Sequence, residues 1–88
     1  MKIEFLAKFN KDLDKIDVNQ IKIKVLETIE EIESSAKLTD LKKIKKLTGF
    51  KNCYRIKIGN YRIGFYFENG IIEFARIVHR KDIYKIFP

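Results

Sequence analysis

Eighty-eight residues, 45% of them apolar, suit one small folded domain over residues 1–88 and exclude a disordered or fibrous chain. A lone cysteine excludes an internal disulfide and fits a reducing compartment, and one cysteine beside one histidine excludes the usual zinc sites. The formal charge of +7 is unevenly placed: residues 1–36 carry six Lys against eight Asp and Glu, whereas residues 37–88 carry thirteen Lys and Arg, including all four Arg, against four acids.

Met1-Lys2-Ile3-Glu4-Phe5 lacks the apolar run of a signal peptide, and no stretch is long enough to cross a bilayer, so a cytoplasmic chain without membrane contact is expected. Ile3, Phe5 and Ala7 alternate with Lys2, Glu4 and Leu6 and predict a short first strand. A helix opening at Lys8 or Asn10 follows, with Phe9, Leu13 and Ile16 on one stripe. Asp17-Val18-Asn19-Gln20 reads as a break and a capping box. Ile21, Val25, Leu26, Ile29 and Ile32 then mark the buried stripe of a second helix, with Glu27, Glu30, Glu31 and Glu33 facing water and Ser34-Ser35 at its end. Leu38, Leu41, Ile44 and Leu47 recur every third residue with lysines between them, which fits either a helical turn or an extended edge segment.

From Cys53 onward the period is two. Strands are predicted at 53–58, 61–67 and 71–78, joined by two-residue turns at Gly59-Asn60 and Asn69-Gly70. A terminal helix over 79–87 should dock Ile83, Ile86 and Phe87 on the body. The predicted class is α+β: an antiparallel β-sheet packed against two N-terminal helices, with a short C-terminal helix.

Strand parity sorts the basic residues. A two-residue turn at Gly59-Asn60 sets Ile58 opposite Tyr61 and Lys57 opposite Arg62, and opposed side chains share a face. One face then carries Tyr54, Ile56, Ile58, Tyr61, Ile63, Phe65 and Phe67 and must cover the helices. The other carries Cys53, Arg55, Lys57, Arg62, Gly64 and Tyr66. Like charges opposed across strands cost stability. The pairing becomes intelligible when a polyanion, most commonly nucleic acid, supplies the missing charge. Solvated lysines splaying apart are the plainer account, but local rules tend to break at functional sites.

The second hairpin extends the cationic face. It sets Tyr66 opposite Glu73, Gly64 opposite Ala75 and Arg62 opposite Ile77, and by the same parity brings His79 to that side. Gly64 and Ala75 would leave a shallow open floor beside Arg62. Arg76 falls on the apolar face, a conflict that a bulge near Ile77-Val78, or pairing with Glu30 or Glu33, would resolve. Arg80 and Tyr84, four apart, should share a face of the terminal helix.

Cys53-Tyr54-Arg55-Ile56-Lys57-Ile58-Gly59-Asn60-Tyr61-Arg62-Ile63, followed by Arg76-Ile77-Val78-His79-Arg80-Lys81-Asp82-Ile83-Tyr84, resembles the RelE/ParE superfamily of bacterial and archaeal toxins. Leu47-Thr48-Gly49 and the two preceding helices match that pattern too. The resemblance spans nearly the whole chain. It implies a sheet related to microbial ribonucleases and a toxin held inactive by a wrapping antitoxin, which should be acidic where it covers the cations. RelE-like members cut messenger RNA on the ribosome. Some ParE-like members instead poison DNA gyrase, and a degenerate member would only bind its antitoxin.

The resemblance maps Arg55, Lys57, Arg62, Arg80 and Tyr84 onto the functional cations and tyrosine, with His79 where relatives carry lysine or histidine. Cleavage by the RNA's own 2′-OH needs a proton acceptor, cations on the phosphorane and an acid for the 5′ oxygen. Lys57 or Tyr84 would assist deprotonation, Arg55 and Arg62 would clamp the non-bridging oxygens, and Arg80 or His79 would serve the leaving group, histidine being the better acid near neutral pH. Lys81 adds a further phosphate contact. No metal or other cofactor is expected.

Overall fold

The computed structural model describes residues 1–88. Nine elements follow in order: β1 (Lys2–Phe5), α1 (Ala7–Asp14), α2 (Asn19–Ser34), a 3₁₀ turn (Leu38–Asp40), β2 (Ile44–Lys46), β3 (Cys53–Ile58), β4 (Tyr61–Glu68), β5 (Ile71–His79) and α3 (Ile83–Ile86). The strands form one sheet in the order β1-β5-β4-β3-β2. Only β1 runs parallel to its neighbour, β5; every other pairing is antiparallel. No helix is long and apolar enough to cross a membrane.

The two hairpin turns lie where the sequence places them. Asn69 and Gly70 both take positive φ, 54° and 76°, the pattern of a type I′ turn, whose twist matches that of the flanking strands. Gly59 takes φ 56° while Asn60 does not turn positive, the II′ pattern. Residues 36–47 combine both readings of the leucine–lysine stretch, a short 3₁₀ turn followed by an edge strand.

The main core lies between the helices and one sheet face. It gathers 13 buried side chains, among them Phe9, Val25, Ile32, Ile56, Ile63, Phe65 and Phe74. Each such side chain contributes about 1.5–3 kcal/mol on burial, so this layer dominates stability. Ile21, Val25 and Ile32 supply the stripe of α2, but Leu26 is 61% exposed and does not belong to it. α1 begins at Ala7, earlier than expected, which removes Ala7 from the strand. The capping box does not form either: Val18 occupies the N-cap of α2, and no side chain caps it. Asp17 stands one residue too early to reach the first-turn amides.

The opposite sheet face carries a smaller cluster of Cys53, Ala75, Ile83 and Phe87, with Leu47, Tyr66 and Val78 against it. Burial pushes the Cys53 thiol above its ordinary value, so it packs as a protonated group. Burial, then Cys53 and Glu73, do the same to the Tyr66 phenol. Gly64 is not an open floor. A Cβ built there lies 2.5 Å from two atoms of the Phe87 ring, so the missing side chain is the seat of that ring. Gly64→Ala should therefore cost about 1–3 kcal/mol by expelling Phe87. A urea denaturation midpoint equal to the parent's would show that the ring moves aside freely.

One bulge reorganises β5. Phe65 pairs with Phe74, but Gly64 pairs with Arg76, leaving Ala75 as the extra residue. The expected Gly64–Ala75 and Arg62–Ile77 pairs are thus replaced by Gly64–Arg76 and Arg62–Val78. Parity reverses beyond the bulge. Ile77 joins the main core opposite Ile63, and Arg76 leaves the apolar face. The bulge sits two residues before the expected Ile77-Val78, and the partner of Arg76 is neither Glu30 nor Glu33. Asp12 of α1 takes its Nε at 2.7 Å and its Nη2 at 3.0 Å. The other bond explains the location: Asp12 also accepts the Ile77 N–H at 3.1 Å. β1 pairs with β5 only as far as Phe74, so Asp12 satisfies the sheet-edge donor that β1 no longer reaches.

Candidate functional site

The β3–β4 register sets Lys57 opposite Arg62 and Ile58 opposite Tyr61, as turn length and alternation require. Their side chains then diverge. The Arg62 guanidinium folds back over the turn, its Nη1 donating to Gly59 O and Tyr61 O, each at 2.9 Å. Lys57 is exposed and faces a groove at the β2 edge of the sheet.

Three other side chains act on Arg62. Burial first, then the nearby charges of Arg55 and Arg80, hold the Arg62 guanidinium below its ordinary range, while Tyr84 acts in the opposite sense. Arg55 lies on the same face through the Arg55–Gly64 pair, and its Nε is buried without a hydrogen-bond partner. Arg80 is anchored through its backbone N–H, which donates to Asn60 O at 2.8 Å across the hairpin. Tyr84 lies in α3 and is 63% exposed. Guanidiniums on one sheet face without carboxylate partners are chemically suited to an anion, and the planar fork matches phosphate oxygens.

The expected terminal helix over 79–87 is reduced to Ile83–Ile86, because β5 continues to His79, where Tyr61 still offers a ladder partner. Arg80 therefore precedes the helix in a turn and shares no helix face with Tyr84; each acts on Arg62 through the tertiary fold. His79 is the other correction. Reversed parity pairs it with Tyr61 on the helix side of the sheet, ring centroids 5.8 Å apart, away from Arg62. Its Nδ1 accepts the Lys81 N–H at 3.2 Å. Lys81 is exposed in the turn before α3.

Phe50, 48% exposed, was not singled out by the sequence, yet it shares a cleft with Thr48, Tyr84, Phe87 and Pro88. The Thr48-Gly49 turn before it was the only available signal. No three His, Cys, Asp or Glu side chains converge to hold a metal ion.

A family profile described as the ParE toxin of the type II toxin–antitoxin system, parDE, matches residues 3–84. The chain is 45% identical to Toxin RelE3 of Methanocaldococcus jannaschii over 89 residues, covering all of both. It also matches a chain in the crystal structure of the RelB–RelE antitoxin–toxin complex from Methanococcus jannaschii. That match has a TM-score of 0.82 at 42% identity, over 97% of this chain and 99% of the other. The YoeB dimer from Staphylococcus aureus shares the fold at 18% identity, with a TM-score of 0.73 over 91% of this chain and 97% of that one.

Proposed function

The chain belongs to the ParE toxin family of type II toxin–antitoxin systems, with RelE-type relatives, and from that premise we propose that it is a metal-independent endoribonuclease acting on ribosome-bound messenger RNA. The observation that carries this reading is that Arg55 and Arg62 share one sheet face beside Arg80, whose N–H is held by Asn60 O, with no carboxylate paired to any of the three.

In this reading the 2′-OH attacks the adjacent phosphorus. Tyr84, reacting as its phenolate, takes its proton, while Lys57 faces the neighbouring groove, and Arg62 with Arg55 binds the non-bridging oxygens as negative charge develops there. The bond from phosphorus to the 5′ oxygen breaks, and Arg80 stabilises the departing oxygen as it takes a proton from solvent water. A 2′,3′-cyclic phosphate and a 5′-hydroxyl result. His79 has no part, because it lies beside Tyr61 across the sheet.

The proposed inhibitor is a cognate antitoxin, as in the RelB–RelE complexes of Methanococcus jannaschii and Pyrococcus horikoshii. Over Arg55, Arg62 and Arg80 it must be acidic, since it offsets the charges that RNA would otherwise offset. The site of action is then the translating ribosome in the cytoplasm.

Expression of the chain without a partner should arrest growth, and primer extension on cellular messenger RNA should show new 5′ ends inside translated codons. DNA breaks or an SOS response without such ends would transfer the assignment to gyrase poisoning.

A further inference from the structure

The groove that receives Lys57 is distinct from the arginine cluster. It opens at the sheet edge where β2 stops pairing: β2 covers β3 from Tyr54 to Ile56, so Lys57 and Ile58 lie beyond it. Lys24 of α2, Lys42 and Lys43 from the turn before β2, and Lys57 line it, with Arg55 at one side and Glu27 as its sole carboxylate. The Leu41-Lys42-Lys43-Ile44 segment explains the presentation. Leu41 is buried, Ile44 packs against the main core, and Ile44 N–H donates to Leu41 O at 3.4 Å. The two lysines between these anchors must face outward.

None of these cations forms an ion pair. The protein's two salt bridges, Arg76–Asp12 and Lys85–Asp82, lie elsewhere, and Glu27 approaches no lysine within bonding distance. Arg55 belongs to both places: it lines the groove and its charge acts on Arg62. A continuous cationic path thus runs from the sheet edge to the arginine cluster.

We propose that this edge groove holds the backbone phosphates of the substrate strand flanking the cleaved one. Lys42, Lys43 and Lys24 would be binding residues remote from the reacting atoms. The inference rests on the ribonuclease reading. The favoured ligand is a phosphodiester chain rather than an acidic protein segment, because the cations are spaced along a path that ends at the proposed cleavage site. Binding energy from such remote contacts would position the strand over Arg62.

The test uses the full chain and a 2′-O-methylated single-stranded RNA 12-mer, with affinity measured by fluorescence anisotropy across a salt series. Each phosphate contact on a single strand contributes about −0.7 to the slope of log K against log salt. K42Q/K43Q should make the slope shallower by about 1.4 for the 12-mer. It should leave the slope for a trimer, which spans only the arginine cluster, unchanged. A charge-matched control at exposed positions of and just after α1, K11Q/K15Q, should match the parent on both RNAs, and circular dichroism should show all variants folded.

An equal effect on both RNA lengths would reduce the groove to general field strength and overturn the assignment. So would an unchanged slope, an absence of 12-mer binding by the parent, or a loss confined to antitoxin affinity. The two readings fail separately. A parent that binds the 12-mer as described but leaves ribosome-bound message intact loses the nuclease reading alone. One that cuts message while K42Q/K43Q keeps the parental slope loses the groove alone.

Discussion

Arg62→Ala should slow cleavage of ribosome-bound message about 10²–10³-fold, the usual effect of deleting one preorganised donor to a developing oxyanion. Stability should change far less. The substitution removes two hydrogen bonds to turn carbonyls, each worth about 1 kcal/mol net. It also removes the repulsion that Arg62 suffers from Arg55 and Arg80. The two effects oppose each other, and a shift within about 1 kcal/mol in urea denaturation is expected. Arg62→Lys should recover part of the rate, since it keeps a charge but loses the fork that engages two oxygens at once. Arg80→Ala should likewise relieve growth arrest without unfolding the chain. A folded Arg62→Ala that cuts at the parental rate would remove the central cation from the mechanism.

Asp12→Ala is expected to produce the largest loss of stability, about 3 kcal/mol. Removing one partner of a buried pair typically costs about 3–5 kcal/mol, and stranding a buried N–H about 1–3 kcal/mol. Asp12 serves both, holding the Arg76 guanidinium and the Ile77 N–H. Its hydrogen bonds hold Arg76 above its ordinary range against the lowering effect of burial. The Arg76 side chain keeps 24% of its exposure, so water recovers part of the loss. Against a total of about 5–15 kcal/mol for an ordinary domain, the deficit is large. Asp12→Asn keeps an acceptor for Ile77 and should cost less. Equilibrium urea unfolding of both variants decides the matter, and equal midpoints for Asp12→Ala and the parent would show that solvent replaces the carboxylate.

The same aspartate explains why part of the site could not be read in advance. The turn residues Gly59, Asn60, Asn69 and Gly70 act on their immediate neighbours, so β3, β4 and the opposition of Lys57 to Arg62 followed from local chemistry. Arg76 on the apolar face signalled that a bulge could be needed, but its position at Ala75 has no local signal. It arises where β1 ends and a carboxylate 65 residues away in sequence claims the Ile77 N–H. Every facing residue beyond it changes sides, which is why His79 leaves the cationic face and Val78 takes the place opposite Arg62. The terminal helix was overextended for a related reason: its first residues remain strand as long as β4 offers a partner.

By itself, the chain of residues settled the α+β class, the two hairpins, the apolar helix-facing surface and the family, because alternation, turn preference and motif spacing are properties of neighbours in sequence. Tertiary structure alone decided that Arg80 reaches Arg62 from a turn rather than from a shared helix face with Tyr84, that Lys57 turns to a different groove, and that Phe87 fills the space above Gly64. Those outcomes depend on which side chains compete for one volume and which distant donors lack partners, and neither is defined until the sheet, the helices and the C-terminal segment have packed together.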